Sequence, residues 1–443
     1  MNSKWTSMTA AKLGESIKSG LISSIDLTEA FIEAVSHDDK SSRIYSTVTL
    51  ERARREAILA DQRAKDGSRH GPLDGVPISW KDNFHIEGYA TEAGSALLKG
   101  KIADHDSPIV TRVSGEGLVC LGKTHMSELA FSGLGLNPIT ATPPNKNDPN
   151  GAPGGSSSGA GASVAFGMAA AAVGSDTGGS VRIPAAWNDL AGLQTTPGRI
   201  SMVDTLPLCS RFDTVGPIGR TVEDCALMLG AFEGNAGPKL SDSTLSGVRL
   251  AVLDEVSLHE MREVPSRAYE QALIKLTRAG ARVERVSFPC LLDAIGLAGP
   301  LFTAEAWGIW KDVIETAPEK MFPRILERFR GASGITAADY IGGWRKLDLI
   351  RAKWRKTISQ FDAIVMPTTP ILPPNIERLI SDDDYYVSEN MLALRYTRIS
   401  NLIDSCALTV PTAEPSCGLM FVGAPMNDEQ ILRIGHAAEM LIR

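Results

Sequence analysis

Residues 248–288 read VRLAVLDEVSLHEMREVPSRAYEQALIKLTRAGARVERVSF. An apolar run at 248–253 predicts a strand, 266–278 a helix with Gly280 as its stop, and 282–288 a second strand, so the stretch forms a β-α-β unit. The same alternation extends in both directions. Upstream, PLDGVPISWKDNF at 72–84 has Val76, Ile78 and Trp80 at strand spacing and ends in the polar Lys81-Asp82-Asn83. A helix over 109–113 and a strand over 118–121 follow, joined through Gly115 and Gly117. Downstream, Tyr340, Trp344, Leu347, Trp354, Ile358 and Phe361 recur at 4-3 spacings, with Arg351 at the remaining position. That is the packing stripe of one helix. A strand over 363–366 then enters Pro367-Thr-Thr-Pro370.

Helices and strands alternating over the whole chain predict an α/β fold, a single large α/β/α layered domain with a central mixed, twisted sheet covered by helices on both faces. Within it, residues 1–70 are expected to be helices packed on the core, among them an amphipathic helix over 10–19 and another starting at Ser24. A central part follows over 71–232. A linker-like loop spans 233–247, and 248–443 completes the same domain.

Charge and cysteine usage narrow the function classes. Among 443 residues, 45 Lys and Arg stand against 52 Asp and Glu, a formal charge of −7. Global attraction to nucleic acid or an anionic membrane is not expected. Six scattered cysteines without C-x-x-C spacing fit a reducing compartment and define no zinc site. With no apolar leader at the N-terminus, the expected location is cytoplasmic. Residues 152–175 carry no charge, yet they are Gly, Ser and Ala with few large apolar side chains. A buried helix of small residues over about 160–172 accounts for them better than a membrane span does.

The glycines are unevenly placed: nine of 41 fall in 151–180, and three short patterns compete there. Gly155-Ser-Ser-Ser-Gly159 satisfies G-x-S-x-G, with Ser157 as nucleophile and His259 or His436 as its only downstream histidines. It lacks the preceding strand that motif needs. Asp176-Thr-Gly178 matches the D-T-G of aspartic proteases, but a second copy is absent. A phosphate-cradling loop is a third reading, although neither G-x-x-x-x-G-K-[ST] nor G-x-G-x-x-G occurs within 151–180.

A fourth reading joins the patterns. Pro153-Gly-Gly-Ser-Ser-Ser-Gly159, then Gly174-Ser-Asp-Thr-Gly-Gly-Ser-Val-Arg-Ile-Pro-Ala185, preceded by Gly75-Val-Pro-Ile-Ser-Trp-Lys-Asp82 and followed by Asp213-Thr-Val-Gly-Pro217, closely resemble the amidase signature family of Ser-cisSer-Lys amidohydrolases. The likeness extends more weakly to both ends. It implies that Lys81 is a base, that Ser156, preceded by a cis peptide, relays the proton, and that Ser180 attacks the amide. It further implies an oxyanion hole of backbone amides from Thr177, Gly178, Gly179 and Ser180. Ser157, Asp176 and Arg182 are expected to support the site. A lysine can act as base when burial disfavours its charge. Such a mechanism requires no metal and no organic cofactor. The expected partner is a small-molecule amide substrate, with a homo-oligomer possible; neither nucleic acid nor membrane is expected. The alternative is one component of a tRNA-dependent amidotransferase, passing ammonia to a partner. The chain departs from the family pattern at Trp187-Asn-Asp189 and Gly192-Leu-Gln-Thr-Thr196, so no particular substrate is implied.

Overall fold

The computed structural model describes residues 4–257 and 261–443. Among these described residues eleven strands form one sheet: β1 Tyr45–Val48, β2 Pro77–Lys81, β3 Val119–Thr124, β4 Ala171–Asp176, β5 Ala191–Gln194, β6 Thr214–Gly219, β7 Arg249–Leu253, β8 Arg282–Val286, β9 Ala363–Pro367, β10 Cys406–Pro411 and β11 Gly418–Gly423. Their spatial order is β1-β3-β2-β4-β6-β5-β10-β11-β9-β7-β8. The sheet is mixed. β3, β2 and β4 run parallel at one end, β9, β7 and β8 at the other, and antiparallel pairs connect them.

Helices cover both faces, which is why every residue of β2, β3 and β4 is buried, the polar positions of β2 included. One core cluster gathers Ile78, Trp80, Val119 and Val173 with the N-terminal helices. A second gathers Ala251, Ile364 and Met420 with the helices Cys290–Ile314 and Ala337–Ile358. In the latter helix Trp344, Leu347, Ile350, Trp354 and Ile358 are buried, and Arg351 keeps its place on the stripe by donating Nε–H to Leu402 O at 2.7 Å.

The uncharged stretch differs from the expected long helix. A helix of small residues runs only from Ser158 to Ala165. Gly167, at φ +72°, ends it in a conformation that disfavours any other residue, and the alanines at 171 and 172 open β4 between β2 and β6. Those alanines carry no β-branched signal. They form a strand because both their neighbours are strands. The small residues of the helix are a packing requirement: a Cβ on Gly159 would stand 2.6 Å from Ile44 O and 2.7 Å from His125 O.

Residues 234–247 lead from the helix Val222–Glu233 to β7. Among the described residues no helix is long and apolar enough to cross a membrane.

Candidate active site

Strand alternation aims Lys81. Ile78 and Trp80 point into the first core cluster, so Ser79 and Lys81 point to the opposite face. There Ser79 Oγ meets Ser163 Oγ of the small-residue helix at 2.8 Å. One step further along, at the end of β2, Lys81 Nζ lies 2.7 Å from Ser156 Oγ, 2.8 Å from Ser175 Oγ and 3.2 Å from Ser175 O. The Lys81 side chain is fully buried. Burial pushes its ammonium down to about 7, against the opposing pull of Asp176 and Asp213.

Ser156 follows a cis peptide bond from Gly155. Its neighbour Ser157 ties two loops together, donating its N–H to Ser180 O at 3.0 Å and its Oγ–H to Ser175 O at 3.2 Å. The bond from Ser157 to Ser180 O thus joins the two serine loops although 24 residues separate Ser156 and Ser180 in sequence. Its own hydroxyl has no hydrogen-bond partner among the described residues. The G-x-S-x-G reading gains nothing here: among the described residues Ser157 makes no hydrogen bond to a histidine, His436 Nδ1 is buried without a partner, and His259 lies outside the described residues.

The loop that carries Ser180 is braced from below by a buried ion pair. Asp176 accepts from the Gly179 N–H at 2.8 Å and the Val181 N–H at 3.0 Å, and Arg182 Nη2 reaches it at 2.9 Å. Burial alone would raise the Asp176 carboxyl, but Arg182, the Val181 amide and Asn401 outweigh it and hold the group below its ordinary range. Arg182 also donates to Thr397 O, Ser400 Oγ and Asn401 Oδ1 at 2.7–2.8 Å. Nε–H and one Nη2–H of the guanidinium thus go to Asp176, and the helix Thr397–Leu402, more than 200 residues away, supplies oxygen acceptors for Nη1 and the other Nη2–H.

Gly178 and Gly179 do different things. Gly179, at φ +132°, would drive a Cβ into Thr397 Oγ1, whereas a Cβ on Gly178 would meet nothing closer than 3.7 Å, the side chains of Leu394 and Phe302. The Gly179 N–H is already given to Asp176. Among the described residues the Gly178 and Ser180 amides have no such acceptor.

Several participants escape sequence reasoning. Ser175 Oγ takes both Lys81 and Asn83 Nδ2, the latter at 3.1 Å. Asp213 accepts from Thr177 Oγ1 at 2.5 Å and from the amides of Leu208 and Cys209; its carboxyl is raised by burial, which these bonds only partly offset. Both residues lie within the quoted motifs, but only the fold shows what they touch.

A mixed sheet presenting a glycine-rich serine loop over a buried lysine is an arrangement suited to acyl transfer. The family profile described as Amidase matches residues 26–432, and the chain belongs to that family. It is accordingly a hydrolase of carbon–nitrogen bonds in amides. It is 33% identical over 408 residues to a 2-amino-5-chloromuconic acid deaminase of Comamonas testosteroni, covering 90% of this chain and 88% of the relative. It is 29% identical over 480 residues to a glutamyl-tRNA(Gln) amidotransferase subunit from Symbiobacterium thermophilum, covering 98% and 97%. A solved amidase superposes with a TM-score of 0.88 at 27% identity, covering 98% of this chain and all of that one.

Proposed function

We propose that this amidase cleaves its substrate through an acyl-enzyme on Ser180, with Lys81 as base and Ser156 as proton relay. The observation that carries the reading is the 2.7 Å contact between Lys81 Nζ and Ser156 Oγ, both residues being fully buried. A lysine with an ordinary pKa near 10.4 is neutral in only about one molecule in a thousand at pH 7.5, whereas one titrating near 7 is neutral in roughly three quarters. Neutral Lys81 accepts the Ser156 proton, Ser156 takes that of Ser180, and Ser180 Oγ attacks the carbonyl carbon. The tetrahedral oxyanion is received by backbone amides of the loop 177–180. Gly178 and Ser180 are the principal donors, because the Gly179 N–H is already engaged by Asp176. The protonated relay then protonates the leaving nitrogen, and water releases the acid.

Ser157, Asp176 and Arg182 are assigned to holding the two serine loops in register. Replacing Ser180 with Ala tests the proposal: ammonia release from every amide turned over should fall to background, with the melting temperature preserved. Full hydrolysis by that variant would exclude it.

A second reading rests on the glutamyl-tRNA(Gln) amidotransferase relatives, which this chain matches over nearly their whole length. In it, the protein releases ammonia from glutamine inside a complex. Purification decides between them: glutaminase activity confined to a stable complex with a second protein favours this reading, and amide hydrolysis by the isolated chain favours the first.

A further inference from the structure

Two guanidiniums near the serine loops, those of buried Arg398 and half-buried Arg328, have no carboxylate partner among the described residues. Arg398 follows Thr397, whose Oγ1–H is donated to Gly178 O at 2.7 Å, and its Cβ stands 3.9 Å from where a Cβ on Gly178 would be. It is 6% exposed. Its Nε–H and one Nη2–H go to the carbonyls of Leu394 and Met391, both at 2.8 Å, leaving Nη1 without an acceptor among the described residues. Arg328 lies across Phe131 at 4.4 Å from the ring centroid and among the described residues gives one hydrogen bond, from Nη1 to Phe131 O at 3.0 Å. Phe131 belongs to the turn whose Ser127 N–H bonds Ser156 O at 3.2 Å. Arg398 therefore adjoins the nucleophile loop, and Arg328 packs on a turn that is hydrogen-bonded to the relay loop.

Elsewhere the protein neutralises or saturates its buried arginines. Arg52 meets Asp106 and Glu56, Arg199 meets Glu233 and Asp428, and Arg182 meets Asp176. Arg220 donates to four carbonyls. Arg328 and Arg398 have no carboxylate within 4 Å among the described residues. The adjacent Glu128 has its oxygens taken by Ser95 Oγ and Phe322 N. Burial, then the like charges of Arg328 and Arg395, push Arg398 down to about 10, so it remains a cation at neutral pH. Desolvating a cation without a partner is costly, and arginine's planar fork suits a carboxylate.

We infer that the substrate is an amide whose acyl part carries a carboxylate, and that Arg328 and Arg398 receive that carboxylate while Ser180 attacks the amide. The inference rests on the Ser180 reading for the position of the amide. The positive charge of the two guanidiniums is then met by the carboxylate of the correct substrate, which makes neutral amides poor substrates.

The test measures ammonia release by the full chain from malonamate, succinamate and glutaramate against propanamide, butanamide and pentanamide, with Ser180→Ala as the blank. The expected result is a preference of at least about 100-fold in kcat/KM for one carboxylated amide over its neutral match. Arg328→Gln and Arg398→Gln should each shrink that preference roughly 10- to 100-fold, mainly through KM, and Arg398→Lys should restore part of it. Calorimetric titration with succinate and glutarate reads the anion site without turnover, in wild type and in both glutamine variants. Carboxylate binding that is lost in those variants supports the inference even if no amide of the panel is hydrolysed, in which case only the hydrolytic reading suffers. Equal turnover of neutral and carboxylated amides, a preference unmoved by either substitution, or absence of carboxylate binding overturns it.

Discussion

Lys81 Nζ and Ser156 Oγ stand 2.7 Å apart, each on a fully buried residue. Lys81 has three oxygen neighbours, the hydroxyls of Ser156 and Ser175 and the carbonyl of Ser175, which equals the three donors of an ammonium. A neutral amine has two donors and one lone pair. Loss of the proton therefore turns one of these contacts around, so that a hydroxyl becomes the donor to the lysine. Ser156 is the hydroxyl proposed to do so.

The activity of the enzyme should follow the Lys81 proton. With the group titrating near 7, kcat/KM is expected to climb about tenfold per pH unit below that value and to level off above it. Lys81→Arg, which keeps the charge but does not release a proton at accessible pH, should lose at least about a thousandfold at every pH. A stopped ammonia assay from pH 5.5 to 9 reads both.

Stability should move with the same proton, with a sign that can be worked out. The folded pKa is depressed below the unfolded value near 10.4, so between about pH 7 and 10.4 the unfolded chain binds more protons and stability rises with pH. Lys81→Met removes the group. Its stability relative to wild type should be greatest at pH 7 and below, and the difference should shrink by up to about 4 kcal/mol towards pH 10.4. Chemical denaturation at pH 7 and pH 9.5 measures the change.

Adjacent glycines should behave oppositely. Gly179→Ala meets both a positive φ and Thr397, and is expected to destabilise the fold by about 3 kcal/mol or more. Gly178→Ala has room, and should change stability by less than about 1 kcal/mol. Its methyl points toward Leu394, Phe302 and Arg398, so the expected loss is in kcat/KM. Melting temperatures and kinetics of the two variants, compared side by side, check the contrast.

Removing one member of the Asp176–Arg182 pair should cost about 3–5 kcal/mol, because the other is left buried and charged. Asp176→Asn and Arg182→Met are each expected to lower the melting temperature sharply. The double variant should lose clearly less than the sum of the two. Additive losses would mean that the two side chains act independently.

Much of the fold and site can be read along the chain where the signal is local. The period of two in β2 already separates Lys81 from the face of Ile78 and Trp80. The 4-3 stripe on 340–361 marks a buried helix, with Ile350 as an unforeseen member. Ala171–Val173 mislead because alanine carries little preference, and the neighbouring strands decide what it becomes. Glycine or proline stands within or at an end of each of β5, β6, β10 and β11, so a single sequence gives them little contrast. The supports of the Ser180 loop are harder still. Thr397, Ser400 and Asn401 lie more than 200 residues from Arg182, and no spacing rule connects them. The glycine excess at 151–180 is legible as a count but acquires its reason only in three dimensions, where Gly159, Gly174 and Gly179 each lie against atoms that leave no space for a side chain.

The central claim is that Ser180 carries the acyl group, and covalent labelling addresses it directly. Phenylmethanesulfonyl fluoride, which sulfonylates an activated serine, should inactivate the enzyme with a stoichiometry of about one, faster above pH 7 than below, as neutral Lys81 activates the nucleophile. Peptide mapping by mass spectrometry should place the added mass on Ser180, with no labelling of the Ser180→Ala variant. Modification of Ser157 or of another residue in step with loss of activity would contradict the account.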